Sequence, residues 1–318
     1  MNIYRVKTYY HLMLSLLLVN SNEKNFLIID GLELFDLTDR LNDSGLFSRI
    51  VVNTCSFEKY TTIRRIRTLF YSIMFTIIRV FSYKEMTIYT PQHNFCGVLL
   101  YYFSKSKNIY LLEDGEYSYK EIINGNVNSL FSRNIIRRCF KSYFLTIYNP
   151  LITGFLYRDR NRLMQTLPNQ YNIMKDRLID FNVNKEISLL TANKENAIHN
   201  IFLKDVTFHR SEKKLLILLT QPLCERNILG CDEIISLYDQ FLCPFVGEYE
   251  MYIKEHPAEV CGKYSGLISK YHLKTINSKL PFELLSMLNI KFDLGVTYNS
   301  TAVHSEIILN RVIIDGSS

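Results

Sequence analysis

The sequence predicts an α/β protein built as two domains. Three observations carry that expectation. The chain has 318 residues, more than one domain of roughly 100–200 residues accommodates. Strand and helix patterns alternate along it, the rhythm of βαβ units with parallel sheets. Hydrophobic residues make up 47% and charged residues 21%, which suits a chain that buries a core. The boundary is expected near residue 205, giving domains over 1–205 and 206–318.

The elements follow in order. β-branched and aromatic runs predict strands over Ile3–Val6, Asn25–Asp30, Ser48–Val52, Met86–Thr90 and Asn108–Leu112. Helical spacing lies between them, over Tyr10–Leu18 and Thr61–Phe81. A polar stretch rich in Asn, Lys and Asp runs from about Asn169 to His209 and is expected to hold the linker. The rhythm then restarts: a strand over Lys214–Thr220, a helix over Cys231–Leu242 and a strand over Tyr249–Lys254. A helix is expected over Pro281–Leu288, with Pro at its first position. Strands over Asp293–Thr297 and Arg311–Ile314 complete the pattern. Polar clusters follow three of these strands. Ligands of open α/β sheets bind beyond the carboxyl ends of the strands. Gln221, His256, Ser300 and Thr301 are therefore expected on one rim.

The net charge is +6 and the pI about 8.8, with the excess gathered in clusters. Arg64, Arg65 and Arg67 form one, Arg133, Arg137, Arg138 and Lys141 another, and Arg158, Arg160 and Arg162 a third. Such clusters suit an anionic partner, or else a solvated helix surface. No nucleic-acid-binding signature accompanies them, so nucleic acid is not an expected partner. Seven cysteines, an odd number without a Cys-x-x-Cys pair, read as reduced thiols of a cytosolic protein. The apolar run Leu12–Val19 is too short to span a bilayer and lacks a small-x-small cleavage site, so it predicts a first buried helix. The apolar stretch Leu69–Phe81, preceded by the first arginine cluster, fits either a core helix or one lying on a membrane surface.

Three motifs have chemistry to offer. In Leu112-Glu113-Asp114-Gly115, adjacent acids follow a strand and precede a Gly. A carboxylate there can take a proton from a hydroxyl nucleophile, though the same pattern serves ordinary turns. In Lys254-Glu255-His256-Pro257, a His closes a strand. It can hydrogen-bond or protonate a leaving phosphate, or sit capped on the surface. In Asn299-Ser300-Thr301-Ala302, hydroxyl residues open a helical pattern, a phosphate cradle or a plain N-cap. Other templates are missing. There is no Gly-x-Gly-x-x-Gly, Gly-Lys-Ser/Thr loop, Gly-x-Ser-x-Gly elbow or His-Glu-x-x-His helix. No Asp-x-Asp is present to hold a divalent ion, so protein donors would have to carry leaving-group charge.

Together, Glu113-Asp114-Gly115, His256-Pro257 and Ser300-Thr301 resemble the three ordered motifs of bacterial sialyltransferases: acidic-acidic-Gly, His-Pro and Ser-Ser/Thr. Thr8-Tyr9-Tyr10-His11-Leu12 and Leu218-Leu219-Thr220-Gln221-Pro222-Leu223 resemble glycosyltransferase family 52. The resemblance runs over nearly the whole chain. It implies a B-type fold, two Rossmann-like domains facing across a cleft, with an acceptor-side first domain and a donor-binding second. It implies CMP-sialic acid as donor and inversion at the anomeric carbon. Asp114 would be the general base, with Glu113 and Gly115 shaping its turn. His256 would assist departure of CMP, and Ser300 and Thr301 would bind its phosphate. Glu283, in Pro281-x-Glu283, would hold the ribose hydroxyls, and Gln221, Lys254 and Pro257 would line the donor pocket. Asp232 and Glu225 are alternative bases from the second domain. The end of the chain soon after Asp315-Gly316 leads us to expect a short or missing C-terminal crossing helix.

The expected partners are a nucleotide-sugar donor and a glycan acceptor, a galactose hydroxyl on lipopolysaccharide, lipooligosaccharide or O-antigen. No metal or other cofactor is expected. The expected location is the cytoplasm, with peripheral contact at the inner face of the membrane, and a homodimer is allowed. Two other readings stay open. One is a B-type transferase using CMP-Kdo or a nucleotide-diphosphate sugar. The other is a non-enzymatic, membrane-associated assembly protein of polysaccharide synthesis.

Overall fold

The computed structural model describes residues 1–52, 86–91, 108–114, 152–166, 175–208, 212–298 and 300–314. The chain divides into two compact units, Met1–Lys204 and Asp205–Ser318. Among the described residues no helix is long and apolar enough to cross a membrane.

The first unit runs β1 (Asn2–Val6), α1 (Tyr9–Leu18), β2 (Asn25–Ile29), a 3-10 turn (Leu32–Leu37), α2 (Thr38–Asp43), β3 (Arg49–Val52), β4 (Thr87–Pro91) and β5 (Asn108–Leu112). It continues through β6 (Gly154–Tyr157), α3 (Arg160–Thr166), β7 (Leu178–Asp180), α4 (Val183–Ser188) and α5 (Ala192–Ile198), which passes into a π turn (His199–Leu203). The strand order is β3-β2-β1-β4-β5-β6-β7, and the described pairings are all parallel. The order reverses between β1 and β4, which makes the carboxyl ends of those strands the natural ligand crevice.

Sequence explains why α1 lies inside. Thr8 caps it, its hydroxyl accepting from the His11 amide at 3.2 Å. The helix is apolar around most of its circumference, and Leu12, Met13, Leu14, Leu16 and Leu17 are all buried. Each buried leucine contributes about 1.5–3 kcal/mol relative to exposure. In the same unit, Arg5 of β1 and Asp30, which follows β2, form a buried two-pronged ion pair, with Nη2 to Oδ1 at 3.1 Å. Gly31, after β2, lets the chain pass the end of β1. A Cβ there would lie 1.9 Å from the Lys7 carbonyl oxygen.

The second unit runs β8 (Lys214–Leu219), α6 (Cys231–Leu242), β9 (Tyr249–Lys254), α7 (Ser265–Tyr271), β10 (Lys274–Ile276), a 3-10 segment (Phe282–Leu288), β11 (Phe292–Thr297), a short 3-10 turn (Thr301–His304) and β12 (Ile308–Ile313). Its sheet order is β10-β9-β8-β11-β12, again parallel. Here the switch point lies between β8 and β11. Residue parity sorts the two faces. Leu216, Leu218, Met251 and Ile253 pack with Ile234, Tyr238 and Leu242 of α6 and Leu267 of α7. Those α6 positions recur every four residues, one stripe of the helix. Tyr252, two residues before Lys254 on the strand, stands on the opposite face with Phe208 and Phe292.

Several expectations change. The Asn169–His209 stretch does hold the boundary, after Lys204, but its described part also holds β7, α4, α5 and the π turn. Its polar residues cover exposed faces, while Leu178, Val183, Ala197, Ile198, Ile201 and Leu203 are buried. The strands β6, β7 and β10 lie outside the predicted set. The segment after Pro281 is 3-10 rather than α, and Pro281 precedes its first residue. The last strand begins at Ile308, not Arg311. The predicted helix Thr61–Phe81, the stretch Leu69–Phe81, the first two basic clusters, Gly115, Asn299 and Asp315-Gly316 lie outside the described residues.

Candidate functional site

Parallel pairing in the second unit sets the carboxyl ends of β9, β8 and β11 side by side. His256, Gln221 and Ser300 follow those ends. The chain leaves β9 in a β-turn, His256-Pro257-Ala258-Glu259, closed by the Glu259 amide on the His256 carbonyl at 3.0 Å. Pro257 occupies the second turn position, where its fixed φ suits the turn; it is exposed. The His256 amide donates to Thr220 Oγ1 at 3.1 Å and to Glu259 Oε2 at 2.8 Å.

The imidazole of His256 has a defined tautomer. The Ala258 amide donates to Nδ1 at 3.1 Å, so the neutral ring carries its proton on Nε2. Burial pushes its pKa down to about 4. Glu259 opposes that, Arg226 and Lys254 add to it, and Glu225 opposes it. At neutral pH the ring is therefore an uncharged N–H donor.

Lys254, the last residue of β9, donates from Nζ to the Ser278 carbonyl at 2.9 Å. Burial lowers its pKa to about 8 against the pull of the Glu283 carboxylate. Glu283 is itself buried in the 3-10 segment. On the other side of β8, Thr297 closes β11. Its hydroxyl donates to the Leu219 carbonyl and accepts from the Ser300 amide at 3.0 Å. The Ser300 hydroxyl accepts from the Ala302 amide at 3.4 Å, leaving its own proton for another acceptor.

Of the two sequence readings of Ser300-Thr301, the N-cap is the one described: Ser300 caps the segment that follows, its hydroxyl accepting from the Ala302 amide. The turn over Thr301–His304 has four residues and is 3-10. The Ser300, Ala302 and Val303 amides already have partners. What the segment offers an anion is a side-chain hydroxyl, not a helix dipole.

Glu225 is engaged elsewhere. Its Oε1 accepts from the Val260 amide at 3.0 Å and pairs with Lys263 at 3.1 Å. Burial alone would raise its pKa, but those bonds outweigh it and hold the carboxyl at about 2. Asp232 lies exposed in the first turn of α6. Gln221 is half-buried just beyond β8.

In the first unit, Glu113 and Asp114 follow β5 and differ sharply. The Glu113 carboxylate is buried. It accepts from Tyr10 Oη at 3.0 Å and from the Arg158 amide at 2.9 Å, with the Arg158 guanidinium 3.4 Å away. Arg158, counted by sequence with a basic cluster open to an outside anion, thus holds an internal carboxylate. Asp114 has 47% of its side chain exposed, and its Oδ1 lies 3.5 Å from Nε2 of His11. His11 is wholly buried on α1. Burial lowers its pKa and the Asp114 charge opposes this. Its Nδ1 is 3.0 Å from the Thr8 hydroxyl.

Sequence reasoning missed Thr220, Glu259, Lys263, Thr297 and Arg158 as parts of these arrangements. Glu259 and Lys263 are spaced i,i+4, the pattern of a solvated surface pair, so spacing pointed away from burial. Among the described residues no three His, Cys, Asp or Glu side chains gather in a metal-binding group.

Comparison with known proteins adds three kinds of likeness. The family model of glycosyltransferase family 52 matches residues 38–309. An uncharacterized protein of Haemophilus influenzae is 25% identical over 250 residues, 76% of this chain and 72% of that one. Among solved structures, an α/β-galactoside α-2,3-sialyltransferase of Photobacterium phosphoreum superposes with a TM-score of 0.63 at 15% identity, covering 98% of this chain and 90% of that one. The B-type (GT-B) domain of a Photobacterium damselae sialyltransferase gives 0.56 at 14% identity, covering 100% and 91%. A UDP-GlcNAc 2-epimerase of Neisseria meningitidis gives 0.55 at 12% identity, covering 100% and 84%. At these identities the structural likeness establishes the fold: mixed α/β with parallel sheets, of the B type.

Proposed function

The chain belongs to glycosyltransferase family 52 and is a glycosyltransferase, and from that premise we propose that it is an inverting sialyltransferase. It takes sialic acid from CMP-sialic acid and places it on a hydroxyl of a surface glycan, a galactose of lipopolysaccharide, lipooligosaccharide or O-antigen. The observation that carries the reading is the state of His256: neutral, with Nδ1 occupied by the Ala258 amide, and so offering Nε2–H.

In the reaction the acceptor oxygen forms a bond to the anomeric carbon as the bond from that carbon to the CMP phosphate oxygen breaks. The electron pair leaves with CMP, whose phosphate gains charge. Nε2–H of His256 and the hydroxyls of Ser300 and Thr301 meet that charge, a role for preorganised donors rather than a metal. Lys254, Glu283 and Gln221 bind the rest of the nucleotide, with the carboxylate taking the ribose hydroxyls. Asp114 removes the acceptor proton. It suits the task better than Glu225, whose lone pairs are committed to Lys263 and the Val260 amide and whose pKa of about 2 makes it a weak base. Glu113 holds the turn that presents Asp114. Acceptor encounter at the inner membrane face fits the net charge of +6.

Calorimetric titration with CMP, UDP and other nucleotides tests the donor, and transfer from CMP-sialic acid with a chelator present tests the chemistry. Binding of CMP and metal-free transfer are expected. Tight binding of UDP without CMP would replace the reading with a nucleotide-diphosphate donor, and binding of neither nucleotide would rule out CMP-sialic acid as the donor.

A further inference from the structure

Among the described residues of the second unit, Glu259 is a densely bonded carboxylate that the reaction as drawn does not use. The Glu259 side chain has no exposed surface. Its four donors are Thr220 Oγ1 and the His256 amide on Oε2, and Lys263 Nζ at 2.6 Å and Tyr264 Oη at 2.7 Å on Oε1. A carboxylate offers about four lone-pair sites, so both oxygens are saturated. The two oxygens also divide the labour. Oε1 anchors to Lys263 and to Tyr264 at the start of α7, and Oε2 grips the residues that end β8 and follow β9. Lys263 is tied in turn to Glu225. Thr220, which donates to Glu259, also accepts from the same His256 amide, so one backbone N–H is held from two sides.

A buried carboxylate is costly unless fully paired. Core packing alone would be served as well by an apolar residue, because removing paired polar groups together is often neutral. The pairing at Glu259 instead fixes the turn whose first residue presents the imidazole. We propose that Glu259 is the positioning residue for His256, clamping the turn that aims Nε2–H at the donor phosphate. The proposal rests on the reading of His256 as the phosphate donor, and it assigns Glu259 no contact with substrate.

The test compares Glu259→Gln with Tyr264→Phe. The first turns one acceptor oxygen into an NH2 donor, so the side chain can no longer accept from both the His256 amide with Thr220 and Lys263 with Tyr264, whereas the second removes one anchor on Oε1 and leaves both oxygens in place. Three readouts are taken: melting temperature, turnover with CMP-sialic acid, and the nitrogen shifts of the His256 ring across pH. Both variants are expected to melt earlier. Only Glu259→Gln is expected to lose turnover, by about 10²-fold, the scale of an ångström-sized misplacement. Its ring is expected to lose the single Nε2–H tautomer. Its titration should also move to lower pH, because the Glu259 charge is lost while Arg226 and Lys254 still oppose protonation and Glu225 alone favours it. Folded Glu259→Gln with wild-type turnover and unchanged ring shifts would overturn the proposal. So would Tyr264→Phe losing as much turnover as Glu259→Gln, since the effect would then be one of stability alone. The ring shifts need no donor sugar. A protein inactive on CMP-sialic acid would count against the proposed reaction, and the shifts would still decide the role of Glu259.

Discussion

The hydroxyl of Thr297 donates to the carbonyl oxygen of Leu219 at 2.8 Å. One side chain thereby bridges the carboxyl ends of β11 and β8, the strands that flank the switch point of the second sheet. The same oxygen receives the Ser300 amide, so the bridge also sets where the Ser300 hydroxyl begins.

Thr297→Val keeps the shape and removes the bridge. Loss of a buried, fully used hydroxyl is expected to cost about 1–3 kcal/mol in denaturant unfolding. CMP affinity should fall as well, because Ser300 is released. A variant that is destabilised yet binds CMP as the wild type does would separate the bridge from the site.

His256 sets a pH dependence with a definite sign. Its pKa is about 4 in the folded chain against an ordinary 6.5. Between those values the unfolded chain binds the extra proton, so stability falls as pH drops from about 6.5 toward 4. His256→Asn should flatten that part of the profile. It should also cut turnover by about 10²–10³-fold, the range for removing one preorganised donor to developing charge. Turnover unchanged in the variant would remove His256 from the reaction.

Lys254 controls the alkaline side. Its ammonium is lost as pH rises through about 8, so CMP binding by calorimetry is expected to weaken there. Glu283→Gln removes the charge that props the ammonium up, and should move the weakening to lower pH. A flat binding profile in the wild type would show that Lys254 does not face the nucleotide.

Asp114→Asn leaves the second unit untouched. Turnover is expected to fall by at least about 10²-fold, with CMP affinity unchanged. Glu113→Gln should act differently, lowering the melting temperature, because that carboxylate is buried against Tyr10 and Arg158. If Asp114→Asn retained full turnover, Asp232 would become the base to examine.

Gly31→Ala tests packing at the first crevice. A Cβ 1.9 Å from the Lys7 carbonyl forces backbone movement at the end of β1, and overpacking of this kind costs about 1–3 kcal/mol or more. An unchanged unfolding midpoint would mean that this approach is looser than it stands.

Much of the architecture was legible before the structure. Runs such as Leu215-Leu216-Ile217-Leu218-Leu219 carry enough β-branched and apolar character to announce a buried strand, and Tyr10–Leu18 enough to announce a buried helix. β7 and β10 were not legible because three residues set no period, and β6 opens on Gly154, a residue depleted in strands. The polar stretch after Asn169 marked the boundary, after Lys204, but hid the short helices before it, which bury only one or two residues each. In the candidate site, the residues that end strands were legible and those that hold them were not.

The sequence by itself determined which residues stand at the strand ends, Asp114, Gln221, His256 and Ser300 among them, because strand pattern and turn chemistry are local. Tertiary structure decided what each of them can do. Glu113 and Asp114 are adjacent acids in the sequence, yet one is buried against Arg158 and the other exposed beside His11. Glu225 and Glu259 both pair with Lys263, yet one also takes the Val260 amide and the other the His256 amide. Charge and basicity depend on burial and on partners such as Arg158, Tyr10 and Thr220, tens of residues away in sequence; the His256 tautomer is set by Ala258 two residues on, through a turn geometry that spacing alone does not reveal.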